Sequence, residues 1–178
     1  GLLELNDELP TFLYNETNSG LESLILPDDP NYVDIRLGSS LFDEEGLLWS
    51  ITSRIDSPLK SYNPSSNSWL SYSFTDIIPD GFSGNLGFAD LVIGSDGTKW
   101  VASYSHGFIG FNENGGNIKI KNILREDQNM PTDLVTALAV DNRNQLWIGT
   151  YRGLRVLSHT SNFFDDDHIT VDEIIMEE

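Results

Sequence analysis

Short apolar runs broken by polar turns recur along this 178-residue chain, with no sustained amphipathic helical spacing between them. One such run comes back three times. Leu47-Leu48-Trp49-Ser50-Ile51-Thr52 returns as Thr98-Lys99-Trp100-Val101-Ala102-Ser103 and again as Gln145-Leu146-Trp147-Ile148-Gly149-Thr150. Upstream of each lies an apolar stretch that closes in a polar turn: Ser40-Leu41-Phe42-Asp43-Glu44-Glu45-Gly46, Leu91-Val92-Ile93-Gly94-Ser95-Asp96-Gly97 and Leu138-Ala139-Val140-Asp141-Asn142-Arg143-Asn144. A Gly or Asn three positions before each Trp suits the positive φ that a tight hairpin demands. Downstream comes a further run at Pro58–Tyr62, Gly107–Phe111 and Gly153–Leu157, and Gly1-Leu2-Leu3-Glu4-Leu5 is a fourth copy of it.

These landmarks predict four short strands per unit. The first lies near 37–42, 89–94 and 135–140, the second holds the Trp, and the third is the downstream run. The fourth is Ser68–Tyr72 in one unit and Ile118–Lys121 in the next, where apolar and basic side chains alternate as on a half-buried edge. Loops are expected at 63–67 and 112–117, and a short helix or turn around Asp127–Asn129. Proline at 27, 79 and 131 lacks an N–H and marks the connection between units. Four antiparallel strands repeating at a period of about fifty residues are the signature of an all-β fold, a β-propeller fragment of about three four-stranded antiparallel blades. The expected division is the end of a preceding blade in 1–26, blades in 27–78 and 79–130, and a blade plus acidic tail in 131–178.

Three and a fraction blades leave apolar faces uncovered at both ends of the fan. The chain is therefore expected to be part of a longer propeller, or to meet a second copy of itself. The β-prone Ile169-Thr170-Val171 and Ile174-Ile175-Met176 in the tail are candidates for a further strand.

Charge narrows the choice of partners. The formal net charge is -18, and residues 1–35 and 157–178 contain acidic side chains but no Lys or Arg. Nucleic acid and anionic lipid surfaces repel such a chain, which excludes nucleic-acid binding as a reading. There is no cysteine, so disulfides contribute nothing and the redox compartment stays open. No apolar run is long enough to span a bilayer, so no membrane insertion by this segment is expected. Any secretion signal is expected upstream.

The third unit, Val135–Asp141 followed by Gln145–Thr150 and Gly153-Leu154, closely resembles the two-component regulator propeller repeat of Bacteroidetes sensor proteins. The first unit departs from it, with Ser50-Ile51 after the Trp and a longer insert from Ser53 to Ser57. A narrower resemblance, to PorZ-like surface proteins of the type IX secretion system, rests on Leu59–Pro64 followed by Trp69, on Asp90–Ile93 before Thr98-Lys99-Trp100, and on Val171–Ile175. The resemblance implies a periplasmic or cell-surface location and a non-catalytic binding or scaffolding role, as a sensor ectodomain or a secretion-apparatus component. Polysaccharide, lipopolysaccharide and protein are the partners it brings into view.

The repeated Trp residues read either as sugar-stacking platforms or as mortar between blades; their strand position favours mortar. The better recognition candidates follow the Trp strand: Arg54 in the first unit, Tyr104 and His106 in the second, Tyr151 and Arg152 in the third. Their loops are expected on the same face as the inter-blade connections, and Tyr and Arg there can stack on or hydrogen-bond a sugar or peptide. The competing reading of these residues is ordinary loop polarity. Asp165-Asp166-Asp167-His168 offers oxygen ligands for a hard cation but lacks the spacing of a calcium loop, and reads as a solvated charge run. His106, His159 and His168 share no zinc spacing, so no metal is assigned. No nucleophile elbow or phosphate loop occurs, and neither catalytic residues nor a cofactor are assigned. The alternative from another class, a propeller glycosidase or lyase, would require carboxylates converging at the ring centre. Asn15-Glu16-Thr17 fits a glycosylation sequon relevant only to a eukaryotic secretory route.

Overall fold

The computed structural model describes residues 1–24, 26, 28–29, 31–79, 87–125 and 128–174. It contains fourteen strands in four antiparallel sheets among these residues. A hairpin of β1 (Leu2–Asn6) and β2 (Leu9–Tyr14) opens the chain. Three four-stranded meanders follow. The first sheet is β3 (Leu37–Phe42), β4 (Leu48–Thr52), β5 (Leu59–Asn63) and β6 (Ser68–Tyr72). The second is β7 (Phe88–Ile93), β8 (Lys99–Ser103), β9 (Phe108–Asn112) and β10 (Lys119–Ile123). The third is β11 (Val135–Val140), β12 (Leu146–Thr150), β13 (Gly153–Leu157) and the two-residue β14 (Asp172–Glu173).

Strand β7 lies against both β3 and β11, so the first strands of the sheets form one inner row from which the meanders fan outward. Each first strand carries a register shift at its second residue, between Leu37 and Ser39, Phe88 and Asp90, and Val135 and Ala137. Such a bulge adds twist where the strands crowd together. The crowding is tight at Gly38, where an added Cβ would fall 2.5 Å from the Phe88 carbonyl oxygen.

Side chains alternate across each sheet and build three cores. Trp49 and Ile51 of β4 meet Leu91, Val101, Ile109 and Phe111 of the second sheet. Trp100 and Ala102 of β8, on the opposite face of that sheet, meet Leu138, Leu146 and Ile148 of the third. Tyr14 and Leu21 pack on Tyr62 of the first sheet. The expectation of buried indoles holds for Trp49 and Trp100, both fully enclosed. Trp147 is half-buried, because β12 turns it toward the outer face of the last sheet, with no sheet beyond it among the described residues.

Two buried lysines are neutralised within these layers. Lys60 pairs with Glu22 and donates to Ser71 Oγ at 2.9 Å. Lys99 pairs with Glu113 at 2.6 Å and sits 3.9 Å above the Trp49 ring, joining the first and second sheets through a cation–π contact.

The acidic tail is part of the core rather than an appendage. Phe163 is fully buried between Trp100 (4.7 Å between ring centroids) and Phe108, and it lies so close over Gly110 that a Cβ there would meet its ring at 2.5 Å. Ile169 and Val171 are buried side chains of the same cluster and not strand residues, contrary to the expectation for 169–171. The strand forms just after them, with Asp172 opposite Val156 and Glu173 opposite Arg155. Residues 175–176 lie outside the described residues. The loop at 112–117 contains a 3-10 turn, Asn114–Gly116. Of the helix or turn expected at 127–129, Asp127 lies outside the described residues, and Asn129 has φ 61° in a bend.

Candidate binding surface

Two faces of the fan are built by repeated loops. On the first, the residue four positions after each Trp has its amide held by the residue that precedes the first strand of the same sheet: Ser53 N–H donates to Arg36 O, Tyr104 N–H to Gly87 O and Tyr151 N–H to Leu134 O. The loops between second and third strands therefore share a face with the inter-sheet connections, as the sequence predicts. Tyr104 and Tyr151 occupy equivalent places one repeat apart, 48 % and 80 % exposed. Arg152, one residue further, is exposed as well, and Arg54 stands at its equivalent position in the first sheet, half-buried and in the left-handed region at φ 63°.

His106 differs from the other candidates. It is half-buried, its Nδ1 lies 2.9 Å from Ser105 Oγ, and its amide donates to Ser103 Oγ. Burial lowers its pKa below the ordinary histidine value, against an opposing pull from the Asp133 carboxylate. The Gly107 turn that follows, at φ 66°, brings its backbone onto the Ile123 carbonyl, where a Cβ would fall at 1.8 Å. These contacts hold the loop that presents Tyr104; Tyr151, in the next sheet, is held through its amide on Leu134 O. What such a surface can do chemically is stack, through Tyr, and donate charged hydrogen bonds, through Arg.

The opposite face carries the hairpin turns between first and second strands, and a device that the sequence reading missed. Asp43 Oδ1 accepts from the amides of Glu45 and Leu47, and its Oδ2 accepts from Trp49 Nε1 at 2.8 Å. Asp141 does the same for Arg143, Gln145 and Trp147 Nε1, the last at 3.2 Å. The Asp141 carboxyl is held below the usual carboxylate range, first by the Gln145 N–H, then by Trp147, Arg143 N–H and the Arg143 charge, against a smaller desolvation cost. The signal was an Asp six residues before the Trp in two of three copies. Gly46, Gly97 and Asn144 in these turns have φ 81°, 80° and 58°, as the spacing predicts. In the middle turn Gly94 replaces the Asp, and Trp100 Nε1 is buried without a hydrogen-bond partner. Clefts of about 620 and 630 Å³ between the turns are lined by Asp43, Glu44, Asp96 and Glu113 among others, an environment hostile to polyanions.

No group of three or more His, Asp or Glu side chains placed to hold a metal ion occurs among the described residues. The charge run at 165–168 is used structurally. Asp165 pairs with Lys119 at 2.8 Å, Asp166 Oδ1 caps the His168 amide, and Lys121 donates to the carbonyls of Phe163 and Asp166. Asn15 of the sequon accepts from Thr17 N–H and Oγ1 in a local turn.

Repeated four-stranded meanders on a shared inner row, with one loop face rigidly presented, define a β-propeller segment. Residues 129–152 match the family model described as two-component regulator propeller, and they span β11 and β12, the unit with the clearest repeat. Among solved structures the chain is similar to PorZ of Porphyromonas gingivalis, described as an essential bacterial surface component of the type-IX secretion system. The identity is 20 % over 97 % of this chain and 24 % of that one, with a TM-score of 0.76. It is also similar to the extracellular domain of BT3049 from B. thetaiotaomicron, described as a hybrid two-component system, at 20 % identity over 87 % of this chain and 18 % of that one (TM-score 0.59). A third is the extracellular domain of BT4673 from the same organism, at 15 % identity over 95 % and 19 % (TM-score 0.60). At these identities the likeness is one of fold. The chain spans 24 % or less of the length of these structures. No curated protein matches it in sequence. No described helix is long and apolar enough to cross a membrane.

Proposed function

We propose that this chain is a non-catalytic recognition or scaffolding segment of a bacterial cell-envelope propeller, periplasmic or at the cell surface, within a secretion-apparatus component or a sensor ectodomain. The observation that carries the reading is the connection face, where Tyr104 and Tyr151 stand one repeat apart on identically anchored backbones. An extended ligand, polysaccharide, lipopolysaccharide or a protein strand, meets successive loops of such a face, with the two rings as platforms and Arg152 and Arg54 as hydrogen-bond donors. Support comes also from the similar structures, which are a surface component and extracellular domains.

The test is calorimetric titration of the chain with purified lipopolysaccharide and with the polysaccharide released from it. Tyr104→Ala combined with Tyr151→Ala is expected to weaken binding at least tenfold while leaving the unfolding midpoint unchanged, since both side chains are exposed. Binding unaffected by the double substitution contradicts the assignment of this face. Turnover of a glycoside, abolished by replacing one carboxylate, contradicts the non-catalytic reading.

A further inference from the structure

The last strands of the four sheets are β2, β6, β10 and β14. A strand there presents free N–H and C=O groups to any other strand, and proteins blunt such edges with proline, charge, irregular register or brevity. Three of the four are blunted. β2 contains Pro10, and its register against β1 shifts beside it. β10 carries Lys119 and Lys121, and β14 is two acidic residues long. β6 has none of these devices. Ser68–Tyr72 holds no charge and no proline, and all five residues pair with β5 in unbroken register. Among the described residues its backbone bonds to β5 and to nothing else. The strand is also held firmly. Trp69 stacks on Tyr62 at 4.6 Å on one face of the sheet, and Tyr72 stacks on Trp49 at 5.5 Å on the other. Leu70, between them, is 59 % exposed.

Charge and sequence symmetry select the occupant of this edge. The chain has a net charge of -18, yet residues 57–75 contain one charged side chain, Lys60, which is buried and paired with Glu22. Two copies that repel each other elsewhere meet here without like-charge contact. The strand is also self-complementary about its centre. Laid antiparallel against a second β6, Leu70 of one copy lies opposite Leu70 of the other, Trp69 opposite Ser71, and Ser68 opposite Tyr72. Each aromatic ring then faces a small hydroxyl, and the exposed leucines cover each other. This is the same-patch pairing that a two-fold axis requires. We propose that β6 is the interface of a two-fold dimer of this chain, in which the first sheets of two copies join edge to edge into one continuous antiparallel sheet centred on Leu70. The interface does not use the connection face and does not depend on the function proposed for it.

The chain has no cysteine, so introduced thiols report the contact without background. Residues directly opposite in an antiparallel pair have Cα atoms about 4.5–5.5 Å apart, within disulfide reach. Leu70→Cys is therefore expected to oxidise to a covalent dimer at least tenfold faster than Ser68→Cys, whose two copies would stand about 13 Å apart along the sheet. In sedimentation equilibrium the unsubstituted chain is expected to dimerise as its concentration rises, and more tightly at high salt, which screens the net charge of -18. Dimerisation is expected to slow amide exchange in β6 and not in β10. Leu70→Lys is expected to weaken the dimer at least tenfold, although it reduces the net negative charge, and to leave the unfolding midpoint of the monomer unchanged. A chain that stays monomeric, thiols at 68 and 70 that cross-link equally fast, association that weakens with salt, or a dimer indifferent to Leu70→Lys would each overturn the proposal. A dimer whose β6 amides exchange as fast as those of the monomer would do so too.

Discussion

The hairpin turns of the second and third sheets solve the same packing problem in opposite ways. In the third, Trp147 is half-buried, and its indole N–H is hydrogen-bonded to Asp141, which also holds two backbone amides. In the second, Trp100 is fully enclosed and its N–H has no partner. Gly94, in place of the Asp, lets the neighbouring turn reach across: Asn144 Oδ1 accepts from Ser95 N–H at 2.8 Å. Asp96 takes over part of the missing work through Thr98 N–H and Oγ1. An indole gripped by sheets on both sides thus tolerates an unmet donor, a cost of about 1–3 kcal/mol, because enclosure of its rings outweighs it. An indole at an open face depends more on its clamp.

The largest expected effect comes from removing the rings. Trp100→Ala should destabilise the chain by about 3–5 kcal/mol, in the range of buried aromatic truncations, and Trp147→Ala by less than half of that. Urea unfolding of the two variants decides the point, and equal losses break the comparison. Next comes the clamp. Asp43→Ala strips the acceptor from Glu45 N–H, Leu47 N–H and the buried Trp49 indole, at an expected cost of about 2 kcal/mol. Gly94→Asp should not confer the same amount on the second sheet. Its Cβ would lie 2.9 Å from Asp96 Oδ1, 3.1 Å from Trp100 Nε1 and 3.2 Å from Asn144 Oδ1, so the added side chain crowds the indole and the acceptors around it instead of reproducing the Asp43 clamp. A clear gain in the unfolding midpoint of Gly94→Asp would show that the turns are interchangeable. The smallest effect is in the acid limb of stability. A carboxyl whose folded pKa is depressed contributes stability that is present above its unfolded value and lost as pH falls through the folded one. Asp141 behaves this way, below the usual carboxylate range, and Asp141→Asn should flatten the pH dependence there.

Strand order and the repeat were legible because period and alternation are local. The first strands at 37–42 and 135–140 and the fourth at 68–72 stand where the pattern puts them, and β7 is offset by one residue. Strand reversal also gave the connection face, since two antiparallel strands separate each inter-sheet connection from the loop after the Trp strand and so bring 53, 104 and 151 back to the same end. What the pattern did not reveal depends on neighbours distant in sequence. Phe163 reads as part of an acidic tail, yet it fills the gap between Trp100 and Phe108. Ile169 and Val171 have strand-forming side chains, but burial against the third sheet claims them and leaves pairing to Asp172 and Glu173. Trp147 is identical in local sequence role to Trp49, and what sets it apart is that no sheet among the described residues covers it. The Asp–Trp clamp was visible as a spacing and was passed over because one copy in three lacks it. Among the candidate binding residues, Tyr104, Tyr151 and Arg152 are presented outward, while His106 is half-buried against its own loop.

Indole N–H exchange in the wild-type chain tests the account most directly, with each resonance assigned by a single Trp→Phe substitution. Enclosure between successive sheets predicts that Trp100 Nε1–H exchanges slowly with solvent despite having no acceptor, as slowly as Trp49, and that Trp147 exchanges markedly faster despite its bond to Asp141. A Trp100 proton that exchanges as fast as that of Trp147 would contradict the packing of these sheets against one another.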